Sequence, residues 1–220
     1  MAIVHHRYAT VDGHRLFYRE AGDDAAPVLV LLHGFPTSSH MFRHLIPALA
    51  GEYGVIAPDL LGFGLSDAPS VDTFGWRLAL GKPAAVTAII SQNGNAYDAG
   101  FVESFWKTVW DYQSAQTPEA EAAVRQFFTL EATRWQYVTG VQDQTLVDPE
   151  SWFHDYSLLS RPGNDAVQLA LFRDYATNPP LYPRLHEYFR ATRVPLLAVW
   201  GRGDQIFGPA RCGSVCGRST

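Results

Sequence analysis

The stretch Val28-Leu29-Val30-Leu31-Leu32-His33-Gly34-Phe35-Pro36 decides the fold of this chain. Five apolar residues in a row predict a strand buried on both faces, as in the middle of a parallel sheet. Gly34 and Pro36 predict a sharp turn, and apolar residues at helical spacing predict a helix over residues 41–50. Strand, turn and helix form half of a β-α-β unit, and open α/β sheets place their sites in the loop after such a strand.

Short β-prone runs lie on either side of this stretch. Residues 8–11 and 15–20 are separated by Asp12-Gly13, which is a hairpin signal and predicts an antiparallel pair at a sheet edge. Residues 54–57 are another apolar run and predict the next parallel strand. The order of these elements indicates one α/β sheet that begins with a hairpin.

Length and composition exclude several classes of protein. At 220 residues the chain can form one well-buried domain with an appended lobe. A formal net charge of -5, without clustered Lys and Arg, argues against nucleic acid or an anionic membrane as the partner. No signal peptide pattern and no apolar run of about 20 residues is found, so the expected location is the cytoplasm.

Both cysteines, Cys212 and Cys216, lie in the last few residues of the chain. Cys-x-x-x-Cys without a second pair or a nearby His does not supply the roughly four ligands that a zinc site needs. A disulfide framework also needs more cysteines than these. We therefore expect incidental thiols and no metal site.

Further motifs follow the opening stretch at defined distances. His33-Gly34-Phe35-Pro36 is followed by Pro58-Asp59-Leu60 and by Gly62-Phe63-Gly64-Leu65-Ser66. This set resembles the α/β-hydrolase fold family, in the branch that contains epoxide hydrolases and haloalkane dehalogenases. Residues 92–97, Gln-Asn-Gly-Asn-Ala-Tyr, resemble the exit to the cap domain in this branch, and residues 197–204, Leu-Ala-Val-Trp-Gly-Arg-Gly-Asp, resemble the strand and turn that deliver the catalytic acid.

The resemblance, which covers residues 8–209, implies an α/β fold with a mostly parallel sheet flanked by helices and covered by a helical cap. We expect residues 1–96 to form the N-terminal part of the core and residues 97–190 the cap with its return to the core. Residues 191–209 then hold the core strand and the acid turn. Residues 210–220 have no apolar periodicity and are predicted to be an unrelated tail, as if the reading frame had been lost.

Aromatic residues at helical spacing are frequent in the predicted cap. The resemblance implies that they form the apolar walls of a substrate site, although such spacing is also typical of a core. Trp106 and Tyr175 are the candidates for substrate contact. Tyr175 is similar to the Tyr that polarises an epoxide oxygen in epoxide hydrolases, and a packed Tyr is the alternative.

The resemblance also implies covalent catalysis without a cofactor. In this family a nucleophile on a strained turn is followed along the chain by an acid and a His. In this branch the nucleophile is an Asp that forms an ester with a small-molecule substrate. Asp204, after a predicted strand at residues 195–200, takes the position of the acid, with a turn-capping carboxylate as the alternative. The backbone N–H of Phe35 takes the position of one oxyanion donor, and Phe35 is also a candidate for substrate contact.

Two catalytic parts are not found. Phe74 runs directly into residues 75–80, Gly-Trp-Arg-Leu-Ala-Leu, which resemble the helix after the nucleophile, so about 40 residues with the central strand are missing. The catalytic His and the last strand should follow the acid, yet the last histidine is His186. Ser66 satisfies small-x-Ser-x-small, but it lacks a strand before it and a helix after it, so a structural role is expected.

Three functions stay open from the sequence. The first is a hydrolase of a small, mostly apolar epoxide, haloalkane or ester, with catalysis impaired in this chain. The second is a non-catalytic pseudoenzyme or a remnant of a deletion and a frameshift, and the third is a small-molecule binding module. Without its central strand the opening strand must pair with residues 86–91 or leave backbone groups unpaired, which predicts low solubility or weakly cooperative unfolding. The sequence does not indicate an oligomeric state.

Overall fold

The structure, a computed structural model, describes residues 2–68 and 80–208. These residues form two compact units. The first unit comprises residues 2–68, 127–134 and 148–170, and the second comprises residues 80–126, 135–147 and 171–208. The interruption predicted after Phe74 and the predicted tail lie outside the described residues.

A mixed four-stranded sheet forms the centre of the first unit, in the order β1-β2-β4-β3. The strands are β1 (His5–Val11), β2 (His14–Ala21), β3 (Val28–Val30) and β4 (Gly54–Pro58). The pairs β1–β2 and β2–β4 are antiparallel, and β3–β4 is parallel. The predicted hairpin is confirmed, because Asp12 and Gly13 have φ values of 49° and 83°, as a two-residue type I′ turn requires. The parallel strand predicted at residues 54–57 is confirmed as β4.

The prediction of a strand buried on both faces at residues 28–32 is wrong. Among the described strands β3 lies at the edge of its sheet, and β4 is its neighbour there. The side chain of Val28 is 61% exposed and that of Val30 is 46% exposed. An apolar run is buried on both faces only where strands lie on each side and other layers cover the sheet. Pairing along one edge leaves these two valines in water.

The core of the first unit lies between this sheet and α1 (Leu45–Leu49). Ile46 of α1 packs with Val55 and Ala57 of β4, and all three are almost fully buried. A 3₁₀ turn at Ser39–Phe42 precedes α1, so the predicted helix over residues 41–50 is divided in two. The loop after β3 is thereby followed by a short turn and a five-residue helix.

Further helices lie between Glu103 and Thr192. Two of these helices begin with a proline in the first turn and a side-chain cap. Thr117 accepts a hydrogen bond from the N–H of Ala120 in one, and Asp148 accepts from the N–H of Glu150 in the other. No helix in the described ranges is long and apolar enough to cross a membrane. Their bounds are α2 (Glu103–Ala115), α3 (Pro118–Arg125), α4 (Leu130–Val138), α5 (Pro149–Leu159), α6 (Asn164–Asp174) and α7 (Tyr182–Thr192).

The sheet of the second unit pairs β5 (Ile89–Gln92) with β6 (Leu196–Val199) in parallel. The strand predicted at residues 195–200 is confirmed as β6. Ile90 is 66% exposed and Leu197 is 56% exposed, so this sheet also shows apolar side chains to solvent. The carboxyl ends of β5 and β6 lie at the same edge of the sheet, because Gln92 pairs with Val199.

Candidate functional site

Asp204 lies in the turn after β6, and its carboxylate is held by three donors. The backbone N–H groups of Ile206 and Phe207 donate to Oδ1 at 2.8 and 2.9 Å. The side-chain amide of Asn93 donates to Oδ2. Because Asn93 follows β5 directly, neighbouring parallel strands deliver both side chains to one edge of the sheet. Only the position of Asn93 directly after a predicted strand pointed to this contact in the sequence.

All eight histidines of the chain lie within the described ranges, and none of them hydrogen-bonds to Asp204. The acid of a catalytic triad accepts a hydrogen bond from the Nδ1–H of its histidine. In this chain the amide of Asn93 and two backbone N–H groups occupy the carboxylate oxygens. The arrangement suits a turn-capping carboxylate and equally an acid whose histidine is missing.

Trp106 and Tyr175 pack against each other in the second unit. Their ring centroids are 4.9 Å apart, and Trp106 is only 4% exposed. The indole Nε1–H of Trp106 donates to the backbone oxygen of Ile206 at 2.9 Å. Since the N–H of Ile206 binds Asp204, the structure joins Asp204, Trp106 and Tyr175 in one chain of contacts.

The hydroxyl of Tyr175 is part of a buried polar network that the sequence did not reveal. It donates to Oδ1 of Asn95 at 2.6 Å, and Nδ2 of the buried Asn95 donates to the hydroxyl of Tyr182. A tyrosine has one hydroxyl hydrogen. While that hydrogen bonds to Asn95, it is not available to polarise a substrate oxygen.

Phe35 lies in the first unit, in the turn after β3. Its ring contacts Phe63 and Phe128 edge-on, at centroid distances of 6.4 and 6.2 Å. Beside it, Nδ1 of His33 faces the backbone oxygen of Gly34 at 3.0 Å, and Nε2 accepts from the N–H of Leu60 at 2.9 Å. These partners require a neutral ring with its proton on Nδ1. Burial lowers the pKa of His33, which agrees with the neutral form.

Ser66 is held by structural bonds, as expected. Its Oγ donates to the backbone oxygen of Asp59 at 2.7 Å and accepts from the N–H of Phe17 at 2.8 Å. The carboxylate of Asp59 is itself buried and accepts from the N–H groups of Ser39 and Leu65 at 2.7 and 2.8 Å. The loop therefore connects elements of the first unit, and among the described residues no histidine hydrogen-bonds to Oγ of Ser66.

Gly64 permits this loop. Its φ is +52°, and a Cβ at this position would lie 1.9 Å from Oδ2 of Asp59. Any side chain would displace the carboxylate that binds Leu65, so the loop needs glycine here.

Several known proteins with similar sequences are hydrolases by name. Residues 27–79 match the family model of the alpha/beta hydrolase fold. The uncharacterized hydrolase YNR064C of Saccharomyces cerevisiae is 36% identical over 240 residues, which cover 93% of this chain and 83% of the yeast protein. A haloalkane dehalogenase of Bradyrhizobium diazoefficiens is 31% identical over 174 residues, or 78% of this chain and 49% of that protein.

The Cif epoxide hydrolase from Acinetobacter nosocomialis has a similar structure, with a TM-score of 0.72 at 15% identity over 98% of this chain and 78% of that one. This likeness shows the fold. The alignment with the yeast protein extends over 240 residues and is longer than the 220-residue chain, so the yeast protein has residues without a counterpart here. With 36% identity across most of both proteins, this chain belongs to the α/β-hydrolase family and is a hydrolase by family.

Proposed function

We propose that this chain is a hydrolase of small, mostly apolar epoxides, haloalkanes or esters that acts through a covalent ester, with catalysis impaired because its nucleophile and histidine are missing. The observation that carries the proposal is the environment of Asp204. It occupies the family's acid position after β6, and an amide and backbone groups bind it where the family has a histidine.

Each catalytic group has a separate task in hydrolysis through an ester. The nucleophile opens the C–O or C–halogen bond of the substrate, and the histidine takes a proton from the water that attacks the ester. The acid orients the histidine and stabilises its charged form. Asp204 can supply only this last task. The amide of Asn93 cannot replace the histidine, because it has no nitrogen that accepts a proton near neutral pH.

The alignment with the yeast hydrolase supports the loss of an internal segment. Residues of the yeast protein have no counterpart in this chain, and the sequence predicts the loss directly after Phe74. A strand, a turn and a helix require about 40 residues. That segment would contain the nucleophile and one of the two oxyanion donors, so Phe35 supplies the other donor alone.

The purified chain is expected to show no turnover above buffer with an aryl epoxide, a 1-haloalkane or a p-nitrophenyl ester. Nucleophile and base act as a unit, so the loss of both lowers the rate by many orders of magnitude. Product formation is measured at high protein concentration, with the Bradyrhizobium dehalogenase as the positive control for the haloalkane. Asp204→Ala should change nothing, as should the matched exposed variant Asp24→Ala.

The contrary result is turnover of a substrate by the unchanged chain, with activity lost in Asp204→Ala and retained in Asp24→Ala. That result would show that Asp204 takes part in catalysis by this chain and would contradict the proposed impairment. Tight binding of an apolar ligand without turnover would instead support a small-molecule binding module. Calorimetry with the same three substrates distinguishes these outcomes.

A further inference from the structure

Two histidines of the first unit face each other where the Ser39–Phe42 turn meets α5. The ring centroids of His40 and His154 are 4.1 Å apart, with 33° between their planes. Arg43, directly after the turn, bonds to α5 at the same place, with Ser151 Oγ at 3.0 Å and Asp148 Oδ2 at 3.2 Å. One small polar cluster therefore joins the turn to the helix.

The charged groups around the two rings are Arg19 and Arg43, which are positive, and Asp59 and Asp148, which are negative. Both carboxylates already have partners. Asp148 pairs with Arg43 and caps α5, and Asp59 accepts from backbone N–H groups. Neither carboxylate hydrogen-bonds to a ring of the pair in the described part of the chain.

The remaining partner of the cluster is Arg19 of β2. Its Nε donates to Ser39 Oγ at 3.0 Å, and its Nη1 lies 2.6 Å from Nε2 of His6. The guanidinium is thus fixed beside the turn. A proton added to His40 or His154 would introduce a positive charge near Arg19 and Arg43, while Asp59 and Asp148 already bind other groups.

We propose that the His40–His154 pair is a pH-sensitive latch, which holds α5 to the Ser39–Phe42 turn while both rings are neutral and loosens when they are protonated. Two charged rings at this distance repel each other and the nearby arginines. Arg43 bonds to Ser151 and Asp148 without contact to either ring nitrogen in the described residues, so we expect loosening to begin at the rings.

The pKa directions agree with this geometry. Burial, then His154, Arg43 and Arg19, lower the pKa of His40 to about 4, and Asp148 opposes them. Burial, then Arg19, lowers the pKa of His154, with Asp59 opposing. A histidine in water titrates near 6.5. As the pH falls, the histidines bind protons more readily when α5 is detached from the turn than when it is attached. The attachment is therefore strongest above about pH 6.5 and weakens toward pH 4.

Hydrogen exchange of the full chain at pH 7.5 and pH 5, corrected for intrinsic rates, tests the latch. We expect the equilibrium constant for opening of residues 149–159 to rise about tenfold from pH 7.5 to pH 5. Lowering the pKa of one histidine from about 6.5 to about 4 would change this constant about thirtyfold, and solvent screening of the partly exposed rings reduces that effect. Residues 182–192 of α7 should not respond. His154→Gln and His40→Gln should each reduce the response of α5, and the exposed neighbour variant His44→Gln should retain it.

The latch is overturned if the acid response of α5 persists in both His154→Gln and His40→Gln, or if the unchanged chain shows none. Proton NMR of the histidine C2–H groups gives a second readout, in which the resonances lost in His40→Gln and in His154→Gln identify the two rings of the pair. Titration of both resonances clearly below 6.5 supports the latch, and titration of both at or above 6.5 overturns it. Neither readout depends on turnover, so a failure of the latch leaves the proposed function untouched.

Discussion

Insertion of the yeast relative's unmatched segment between Phe74 and Gly75 is expected to give a chain that forms a covalent ester with a haloalkane or an epoxide and keeps it. The inserted strand and turn would restore the nucleophilic carboxylate and its oxyanion donor. Without a histidine beside Asp204, no base activates water, so the ester forms once and is not hydrolysed. Intact-mass spectrometry should show one adduct per chain in the insertion variant and none in the unchanged chain.

The matched control changes the inserted nucleophilic Asp to Asn, which retains the shape of the side chain and removes the nucleophile. This control should abolish the adduct. Many turnovers without an accumulated adduct would mean that the chain already contains a working base. A folded insertion variant that forms no adduct would mean that the nucleophile is not in the inserted segment. Either result contradicts the division of the site described here.

Replacement of Val28 and Val30 by lysine is expected to shift self-association of the chain to about tenfold higher protein concentration. These valines are 61% and 46% exposed on β3, at the edge of the described sheet. An edge strand with apolar side chains and open backbone groups pairs with other chains, and lysine on such an edge prevents this pairing. Analytical ultracentrifugation over a concentration series measures the shift.

Leu146→Lys is the control for this variant. Leu146 is 81% exposed but lies in a 3₁₀ turn, so one positive charge is added away from the described strands, to be compared with Val28→Lys and Val30→Lys made singly. It should leave the association of the chain unchanged. Equal association of both variants would show that charge alone is responsible, and an unassociated parent chain with a sharp two-state melt would contradict an open sheet edge.

The features that the sequence predicted well are those with local causes. Asp12-Gly13 forms the expected hairpin because a two-residue turn with positive φ depends on these two residues alone. The strand before Asp204 was likewise visible as an apolar run.

The features that the sequence missed depend on distant parts of the chain. Burial of Val28 and Val30 was predicted from their own apolar character, but burial requires a neighbouring strand and covering layers. The hydrogen bond between Asn93 and Asp204 joins residues 111 positions apart, and the sequence around either residue does not predict it. The contact of His40 with His154 was missed for the same reason.

The nucleotide sequence of the gene around codon 74 and beyond codon 209 would show whether a hydrolase has lost its nucleophile segment and its histidine. We expect, next to codon 74, coding sequence for about 40 residues that include a strand and a small-x-Asp-x-small turn. Beyond codon 209 we expect a histidine codon after a strand in a shifted frame. A locus in which neither segment is encoded nearby would contradict the deletion and frameshift.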